Sequence, residues 1–133
     1  YSGASFICDY AHHPREISAT VATAEKMCAG KLYTIFQPHT YSRTKLLMED
    51  FVRSLRVVPN LMIYKTYPAR EYFDEEGSAL TLAKNVGNCL YSESIRELKT
   101  WLKNTVQAGD IVLFLGAGDV YYAAQHLLKE LNK

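Results

Sequence analysis

The sequence predicts a single α/β domain, built on a mainly parallel sheet with helices on both faces. Its 133 residues match the usual size of one domain. Short apolar segments alternate along the chain with helical segments of about 12 to 16 residues, an order that is typical of parallel sheets. The apolar segments are hydrophobic throughout rather than at every second position, which indicates strands that are buried on both faces.

The first two elements are a strand and a helix. Residues 5–9 (SFICD) form a short apolar segment that reaches a charge at its C-terminal end, which predicts a buried strand. Pro14 suits the first position of a helix. Four apolar side chains then recur at helical spacing: Ile17, Val21, Ala24 and Cys28. Gly30 ends the predicted helix.

Two further strands flank the second helix. Residues 32–36 (LYTIF) and 61–64 (LMIY) are continuous apolar segments and predict buried strands. Between them, a polar turn at 37–41 leads into one helix that ends at Pro59. The apolar face of this helix consists of Leu47, Phe51 and Leu55.

An irregular segment follows the third strand. Residues 66–77 contain Pro68 and an acidic run, and they predict a mobile loop. Ser78 can cap a short helix that continues through Lys84. Residues 88–91 predict a peripheral strand.

The C-terminal part of the chain predicts a helix, a strand and a helix, in that order. Ser94 and Glu97 form a capping-box pattern at the start of the first of these helices, and Gly109 closes it. Residues 111–115 (IVLFL) are the clearest buried strand and lead through residues 116–119 into the final helix. The inward face of the first of these helices consists of Leu98, Leu102 and Val106. The inward face of the final helix consists of Val120, Ala124, Leu127 and Leu131.

The charge and hydropathy of the chain exclude two classes of partner. Fifteen Lys and Arg oppose fourteen Asp and Glu, and a formal net charge of +1 gives no field strong enough to recruit nucleic acid or an anionic membrane. The apolar runs are far shorter than the roughly 20 residues that span a bilayer, and no basic segment leads into an apolar one at the N-terminus. We therefore expect a soluble, cytoplasmic protein with no nucleic-acid or membrane partner.

The three cysteines do not form a recognisable framework. Cys8, Cys28 and Cys89 are an odd number and lack a CxxC spacing. This pattern supports neither a set of disulfides nor a zinc site. We expect all three to be reduced residues of the core.

Three polar turns follow predicted strands, at residues 9–14, 37–43 and 116–119. In an open parallel sheet, ligands bind beyond the carboxyl ends of the strands. If the three turns are neighbours in space, they form one site.

The first turn (DYAHHP) concentrates a carboxylate, a phenol and two imidazoles at a helix start. In the functional interpretation, Asp9 accepts hydrogen bonds from ligand hydroxyls while Tyr10 and His12 hold a small polar substrate. In a structural interpretation, Asp9 caps the turn, one histidine caps the helix and Tyr10 is part of the wall. A metal site of His12, His13, Asp9 and His39 is disfavoured because adjacent histidines on such a turn diverge, so no metal is expected.

The second turn (QPHTYSRT) places His39 and Arg43 at the start of a helix. The guanidinium of Arg43 suits a carboxylate or phosphate, and the helix N-terminus adds positive potential there. We therefore expect an anion at this turn. The alternative is that Arg43 is a solvated residue of the first helical turn.

The third turn (GAGD) supplies a glycine pair, a weak signal because glycines also serve tight packing between a strand and a helix. Tyr121 stands where the dinucleotide fingerprint GxGxxG requires its third glycine, so no dinucleotide cofactor is expected. No GxxxxGK[ST] loop occurs, so the chain cannot cradle a triphosphate in that way. His126, within the last helix, is expected at the surface.

Four segments stand out together: DYAHHP at 9–14, FQPHTYSRT at 36–44, YPARE at 67–71 and GAGD at 116–119. In this order and spacing they resemble the C-terminal domain of the Mur ligase family. The resemblance covers essentially the whole chain. The first segment by itself indicates only the superfamily, whereas QPHTYSRT fits the alanine-adding members best.

The resemblance implies a Rossmann-like domain of an ATP-dependent, amide-forming ligase of peptidoglycan biosynthesis. Residues 1–133 then correspond to the C-terminal domain, and the N-terminal UDP-binding and central ATPase domains are absent from this chain. The implied substrates are UDP-N-acetylmuramate, L-alanine and ATP, with ATP and Mg²⁺ held mainly by the central domain, the implied partner. The implied reaction passes through an acyl phosphate that the amine of alanine attacks, and this domain alone is expected to be inactive.

The resemblance also assigns roles to single residues. By position, Asp9 is similar to the family aspartate that contacts the ATP ribose, and Arg43 resembles an arginine that faces the substrate carboxylates. Some family members have arginine where this chain has Thr40. A second guanidinium is therefore missing here, and binding of the carboxylates depends more on Arg43. The residues similar to those near the amino-acid end of the site are Tyr10, His12 and His39.

Two other functions stay open at this point. A murein-peptide ligase also carries an AHHP-type turn, although QPHTYSRT argues against it. The chain could instead be a stand-alone module that binds a nucleotide or a small anion without turnover. Its start, YSGASFICD, suggests a piece of a longer protein. Finding ATPase and UDP-sugar domains upstream in the full reading frame would separate these alternatives.

Overall fold

A five-stranded parallel sheet lies at the centre of the computed structural model, which describes residues 1–133. Its strands are β1 (Ser5–Asp9), β2 (Leu32–Phe36), β3 (Leu61–Tyr64), β4 (Leu90–Ser92) and β5 (Ile111–Leu115). The helices are α1 (Pro14–Met27), α2 (Tyr41–Leu46), α3 (Met48–Leu55), α4 (Ala79–Val86), α5 (Ile95–Thr105) and α6 (Val120–Leu131). The strands lie in the order β1-β5-β2-β3-β4, and the predicted α/β class is confirmed.

Helices cover both faces of the sheet. On one face α1, α3 and α4 pack on the strands in a cluster of 18 buried residues, and on the other α5 and α6 form a cluster of 15. Successive residues of a strand serve opposite faces, so that Leu32 belongs to the first cluster and Tyr33 to the second. Burial on both sides is why the strands read as continuous apolar runs.

The central strands have the bounds that the sequence predicts. β2, β3 and β5 are buried at every position, and they coincide with the predicted segments. A strand that neighbours two others and is covered on both faces leaves no position for a side chain that faces water, and even the hydroxyl of Thr34 is buried. The apolar signal is therefore sharpest at the centre of the sheet.

The prediction that β1 is buried is wrong, although its bounds are correct. β1 pairs only with β5 and forms an edge of the sheet, and its residues are half-buried or exposed. The three cysteines are free, as predicted, but the prediction that they lie in the core is also wrong. Cys8 is exposed on this edge strand, and Cys28 and Cys89 are only half-buried.

Three helices differ from their predicted extents. The predicted second helix is divided into α2 and α3 at Leu47, whose φ of −106° and ψ of 20° turn the chain. α5 ends at Thr105 rather than near Gly109, because buried Val106 is extended and Gly109 belongs to the next turn. α4 runs two residues past Lys84, and the peripheral strand is β4.

No helix of the chain combines the length and apolar character needed to cross a membrane.

The carboxylate of Asp110 holds together the edge of the sheet that lies opposite the polar turns. Asp110 is buried, and its Oδ1 accepts a hydrogen bond from Lys31 N at 2.8 Å while its Oδ2 accepts one from Gln107 N at 2.8 Å. These bonds join the residues that precede β2 and β5. The side chain therefore fixes how two central strands enter the sheet.

Replacing Asp110 with alanine should lower the free energy of unfolding by about 2 to 4 kcal/mol, because two backbone donors lose a charged acceptor. Denaturant unfolding of the chain measures this effect. The matched control is Asp50→Ala on α3, an exposed carboxylate paired with Arg53, which should cost less than about 0.5 kcal/mol. Equal losses in the two variants would contradict the role given to Asp110.

Candidate functional site

The three polar turns meet at the carboxyl edge of the sheet. They follow β1, β2 and β5, which are neighbours in the sheet. The last residues of the three strands are level, because Asp9 and Phe36 both pair with Leu115. The turns that follow therefore begin side by side.

Gln37 ties the second turn to the third. Its side chain is buried, and its Nε2 donates to Asp119 Oδ1 at 2.6 Å and to Lys65 O at 3.2 Å. Its Oε1 accepts a hydrogen bond from Val120 N, the first residue of α6, at 3.0 Å. These contacts join the ends of β2 and β3 to the start of α6 and confirm that the turns are neighbours.

Four aromatic rings form a row across this edge, which we call the aromatic row: Tyr10, His12, His39 and Tyr67. Successive ring centroids lie 5.4, 5.8 and 5.4 Å apart, and His39 stacks on Tyr67 with an interplanar angle of 15°. The row joins the first turn, the second turn and the segment after β3. It brings three of the predicted site residues together with one that was not predicted.

The contacts of Asp9 and His13 confirm the structural interpretation of the first turn, and the functional interpretation stays a prediction. Asp9 Oδ1 accepts a hydrogen bond from Ala11 N at 2.9 Å, and His13 caps α1 by accepting one from Arg15 N. His12 instead lies against His39 in the aromatic row. The two histidines diverge as predicted, and no three His, Cys, Asp or Glu side chains lie close enough to hold a metal ion.

Asp9 keeps part of its carboxylate available. Its Oδ2 accepts no hydrogen bond from the chain, and the residue lines a cavity of about 360 Å³ together with Tyr10, Gly116 and Tyr121. A free carboxylate oxygen at the mouth of a part-aromatic cavity fits a sugar diol. A larger depression of about 700 Å³ lies along α6 at residues 122–132 and gathers none of the predicted residues.

His39 is held in its neutral form. Burial lowers the pKa of His39 below its ordinary value of 6.5, and the charges of Arg43 and His12 lower it further, against an opposing effect of Glu71. Its Nδ1 is buried without a hydrogen-bond partner, which also disfavours a charged ring. At neutral pH the imidazole therefore adds no positive charge beside Arg43.

The amides at the start of α2 bind a carboxylate of the chain itself, whereas a bound anion at Arg43 stays a prediction. Glu71 Oε1 accepts hydrogen bonds from the first two amides of α2, Tyr41 N at 2.7 Å and Ser42 N at 3.0 Å, and its Oε2 accepts one from Ser42 Oγ. Arg43 is a half-buried residue, and its guanidinium has no hydrogen bond or ion pair within the chain. The helix amides are thus occupied, while Arg43 stays available.

The glycines of the third turn make room for neighbouring residues. A Cβ at Gly118 would overlap the ring of Tyr67, and a Cβ at Gly116 would lie 2.9 Å from Val120 Cγ1 and 3.2 Å from Gln37 O. The glycine pair therefore serves close packing, which agrees with the absence of a dinucleotide fingerprint. His126 is exposed on α6, as predicted.

The structure adds four residues to the candidate site, and they lie in the YPARE segment and in the predicted turns. Tyr67 and Glu71 belong to the YPARE segment, but no role followed from their residue types. Gln37 and Asp119 belong to two of the predicted turns. Only the hydrogen bond between their side chains shows that these two residues link the turns. Side-chain partners in separate turns are not visible in a sequence.

The fold and this edge define an α/β domain with a parallel sheet, whose candidate site is built from turns of neighbouring strands. A sequence profile described as "Mur ligase, glutamate ligase domain" matches residues 1–118. The chain therefore belongs to the Mur ligase family, as the four segments indicated.

Curated relatives have a common name. A UDP-N-acetylmuramate--L-alanine ligase of Alkaliphilus metalliredigens is 43% identical over 133 residues, covering 96% of this chain and 28% of the relative. A protein of the same name from Clostridium tetani is 41% identical over 127 residues, covering 91% of this chain and 27% of the relative. The chain thus spans little more than a quarter of the length of these relatives.

Solved structures of the family have the same fold. UDP-N-acetylmuramate-alanine ligase of Thermotoga maritima matches with a TM-score of 0.69 at 25% identity, over 98% of this chain and 27% of that chain. A murein peptide ligase of Psychrobacter arcticus matches with a TM-score of 0.75 at 20% identity, over 99% and 28%. A single domain of a Haemophilus ducreyi UDP-N-acetylmuramate:tripeptide ligase matches with a TM-score of 0.67 at 20% identity, over 98% and 93%.

Proposed function

We propose that this chain is the C-terminal domain of an ATP-dependent ligase that joins L-alanine to UDP-N-acetylmuramate, a step of peptidoglycan biosynthesis. The observation that carries the proposal is Arg43, a half-buried residue whose guanidinium has no partner within the chain and which lies beside the aromatic row. Such a free guanidinium suits an anion, and the carboxylate of alanine or of the muramyl group fits it in a two-point geometry. The names of the curated relatives support the same choice.

In this proposal each side chain of the site has a separate task. Asp9 binds the ribose hydroxyls of ATP through its free Oδ2, in the cavity beside Tyr10. Arg43 holds and orients a substrate carboxylate. His39 is neutral and does not repel the amine of alanine, and His12 and Tyr10 complete the wall at the amino-acid end. ATP supplies the chemistry of activation, by phosphorylating the muramyl carboxylate so that the amine can attack it.

The rest of the machinery lies outside these residues in this proposal. No GxxxxGK[ST] loop occurs in the chain, so we place the triphosphate and Mg²⁺ mainly on a central ATPase domain of the same protein. That domain is then the partner of this one, against which the polar edge closes. Because ATP and UDP-sugars are cytoplasmic substrates, the reaction is placed in the cytoplasm.

The test uses the complete protein that carries this domain. Phosphate release should depend on both L-alanine and UDP-N-acetylmuramate, and UDP-N-acetylmuramoyl-alanine should form. Turnover with a recycled tripeptide in place of alanine would favour the murein-peptide ligase, whose Psychrobacter arcticus member has this fold. Nucleotide binding without turnover of either substrate would favour a stand-alone binding module.

Replacing Asp9 with alanine in the complete protein should raise the KM for ATP more than the KM for alanine. Each hydrogen bond to a charged acceptor is worth about 1.5 to 3 kcal/mol, so the expected rise is tenfold or more. Steady-state kinetics with each substrate varied in turn measure the difference. Unchanged KM for ATP and unchanged kcat would refute the assignment.

A second variant separates this role of Asp9 from its role in the turn. Asp9→Asn keeps an oxygen that can accept the hydrogen bond from Ala11 N, but it loses the charge and replaces the free Oδ2 with an amide group. We expect Asp9→Asn to raise the KM for ATP while the melting temperature stays near that of the wild type. Asp50→Ala, an exposed carboxylate change on α3, is the kinetic control.

A further inference from the structure

Glu71 binds the start of the short helix that carries Arg43. Its carboxylate binds the first two amides of α2, and Arg43 is the third residue of that helix. We infer that Glu71 is a positioning residue, which fixes the start of α2 so that Arg43 points at the substrate carboxylate. The inference rests on the proposed function, because Arg43 is given that task there.

The turn before α2 needs external support. Thr40 has a φ of 64°, in a region that a β-branched residue seldom adopts, and such a conformation persists only where its surroundings hold it. The support comes from the segment that contains Glu71. Thr40 N donates to Tyr67 O at 2.8 Å, and Tyr67 N donates to Pro38 O at 2.9 Å.

α2 is too short to be stable without contacts from outside the helix. We call the hydrogen bonds that Glu71 accepts from Tyr41 N and Ser42 N the tether. α2 has six residues, and isolated helices shorter than about 12 residues are marginal in water. The side chain of Thr40 caps only Arg43 N, at 3.3 Å. Glu71 supplies the acceptor for the two preceding amides, so its removal leaves two of the three amides at the helix start without a partner.

The tether leaves Arg43 available for substrate. No ion pair joins Glu71 to Arg43, because the carboxylate is directed at the helix amides and at Ser42 Oγ. Hydrogen bonds from Ser42 and Tyr41 lower the pKa of Glu71 below its ordinary value of 4.5, so the group is ionised at neutral pH. The negative charge strengthens these hydrogen bonds, and this added strength is present above about pH 4.5 and is lost as the pH falls through the lowered pKa.

The first test compares three replacements of Glu71 in the complete ligase. Glu71→Ala removes the tether and should lower kcat/KM for the carboxylate substrate held by Arg43 by about ten- to a hundredfold, because small displacements of a binding group are costly. Glu71→Asp keeps the charge but is one methylene too short, and it should behave similarly. Glu71→Gln keeps the length and an oxygen that accepts both amide hydrogen bonds, and it should recover most of the activity.

The KM for ATP distinguishes positioning from a general loss of structure. It should stay within about twofold of the wild-type value in every Glu71 variant, since Asp9 lies on another turn. Combining Glu71→Ala with Arg43→Lys should be little worse than Arg43→Lys alone, because both changes act on one contact. Equal losses for ATP and for the carboxylate substrate, or fully multiplicative losses in the double variant, would overturn the inference.

Glu76→Gln provides the matched control. Glu76 lies in the same segment and pairs with Lys45 at 3.2 Å in an exposed contact, so its replacement should leave all kinetic constants unchanged. If Glu71→Ala does not fold, the comparison of Glu71→Asp with Glu71→Gln decides. Similar activity of these two variants would then contradict the role of side-chain length.

A second measurement does not depend on ligase activity. In NMR spectra of the 133-residue chain, the chemical shift of the Arg43 Nε–H group should change in Glu71→Asp and its order parameter should fall. Both quantities should stay near their wild-type values in Glu71→Gln. An Arg43 signal that is the same in all variants would overturn the inference. Absence of alanine-dependent turnover in the wild-type protein would instead reject the proposed function, and the NMR comparison would still decide the role of Glu71.

Discussion

Replacing Arg43 with lysine should lower kcat/KM for alanine or for the muramyl substrate by one to two orders of magnitude in the complete ligase. Lysine keeps the charge, but its ammonium group cannot form the planar two-point contact that a guanidinium makes with a carboxylate. The lost hydrogen bond to a charged group is worth about 1.5 to 3 kcal/mol, which corresponds to this loss of activity.

The same variant should fold as well as the wild type. The guanidinium of Arg43 has no partner within the chain, so the change to lysine breaks no hydrogen bond of the folded domain. Thermal unfolding of the chain checks this point, and steady-state kinetics check the loss of activity. Arg53→Lys on α3, whose side chain pairs with Asp50 at the surface, is the control. Wild-type kinetics in Arg43→Lys would make Arg43 a surface residue.

The sequence predicts this fold best where a strand is buried on two faces. β2, β3 and β5 coincide with the predicted segments because each is covered by helices and flanked by other strands. β1 has the same apolar character in the sequence, yet it lies at the edge and leaves Cys8 exposed. The order of strands in the sheet decides this burial, and strand order is a long-range property that local hydropathy does not contain.

Breaks within helices are also poorly marked in the sequence. The division between α2 and α3 occurs at Leu47, a residue type that favours helices and gives no signal of a turn. The apolar spacing of Leu47, Phe51 and Leu55 continues across the break, so one helix is the natural prediction. The contacts that α2 makes with the segment after β3 join distant parts of the chain and are likewise not marked in the local sequence.

The site was predictable as residue types but not as a network. Asp9, Tyr10, His12, His39 and Arg43 follow from polar turns after apolar strands, and the structure places these turns together. The contacts that organise them join distant parts of the chain. The tether from Glu71 to α2 spans about 30 residues, and such pairings are fixed only when the sheet has formed.

The 133-residue chain should fold by itself in a single cooperative transition. Helices cover both faces of its sheet, and both clusters of core residues are complete within the chain. The Haemophilus ducreyi chain with this fold consists almost entirely of the same domain, so a domain of this architecture can exist alone. Coincident thermal unfolding curves from far-UV circular dichroism and from tyrosine fluorescence would verify the expectation.

The folded chain should nevertheless show neither ligase nor ATPase turnover. In the proposed function its polar edge supplies one half of the site, with Asp9 exposed and Arg43 half-buried, and the chain has no GxxxxGK[ST] loop for the triphosphate. Reacting groups are aligned and water is excluded only when such an edge closes on a second domain. Binding of ATP should also be weak, because the ribose contact alone forgoes the charged hydrogen bonds to the phosphates. Phosphate release and UDP-N-acetylmuramoyl-alanine formation by the purified chain, with the complete ligase as positive control, measure this directly. Turnover above background would mean that these residues contain a whole active site, and the division of tasks proposed for Asp9 and Arg43 would have to be abandoned.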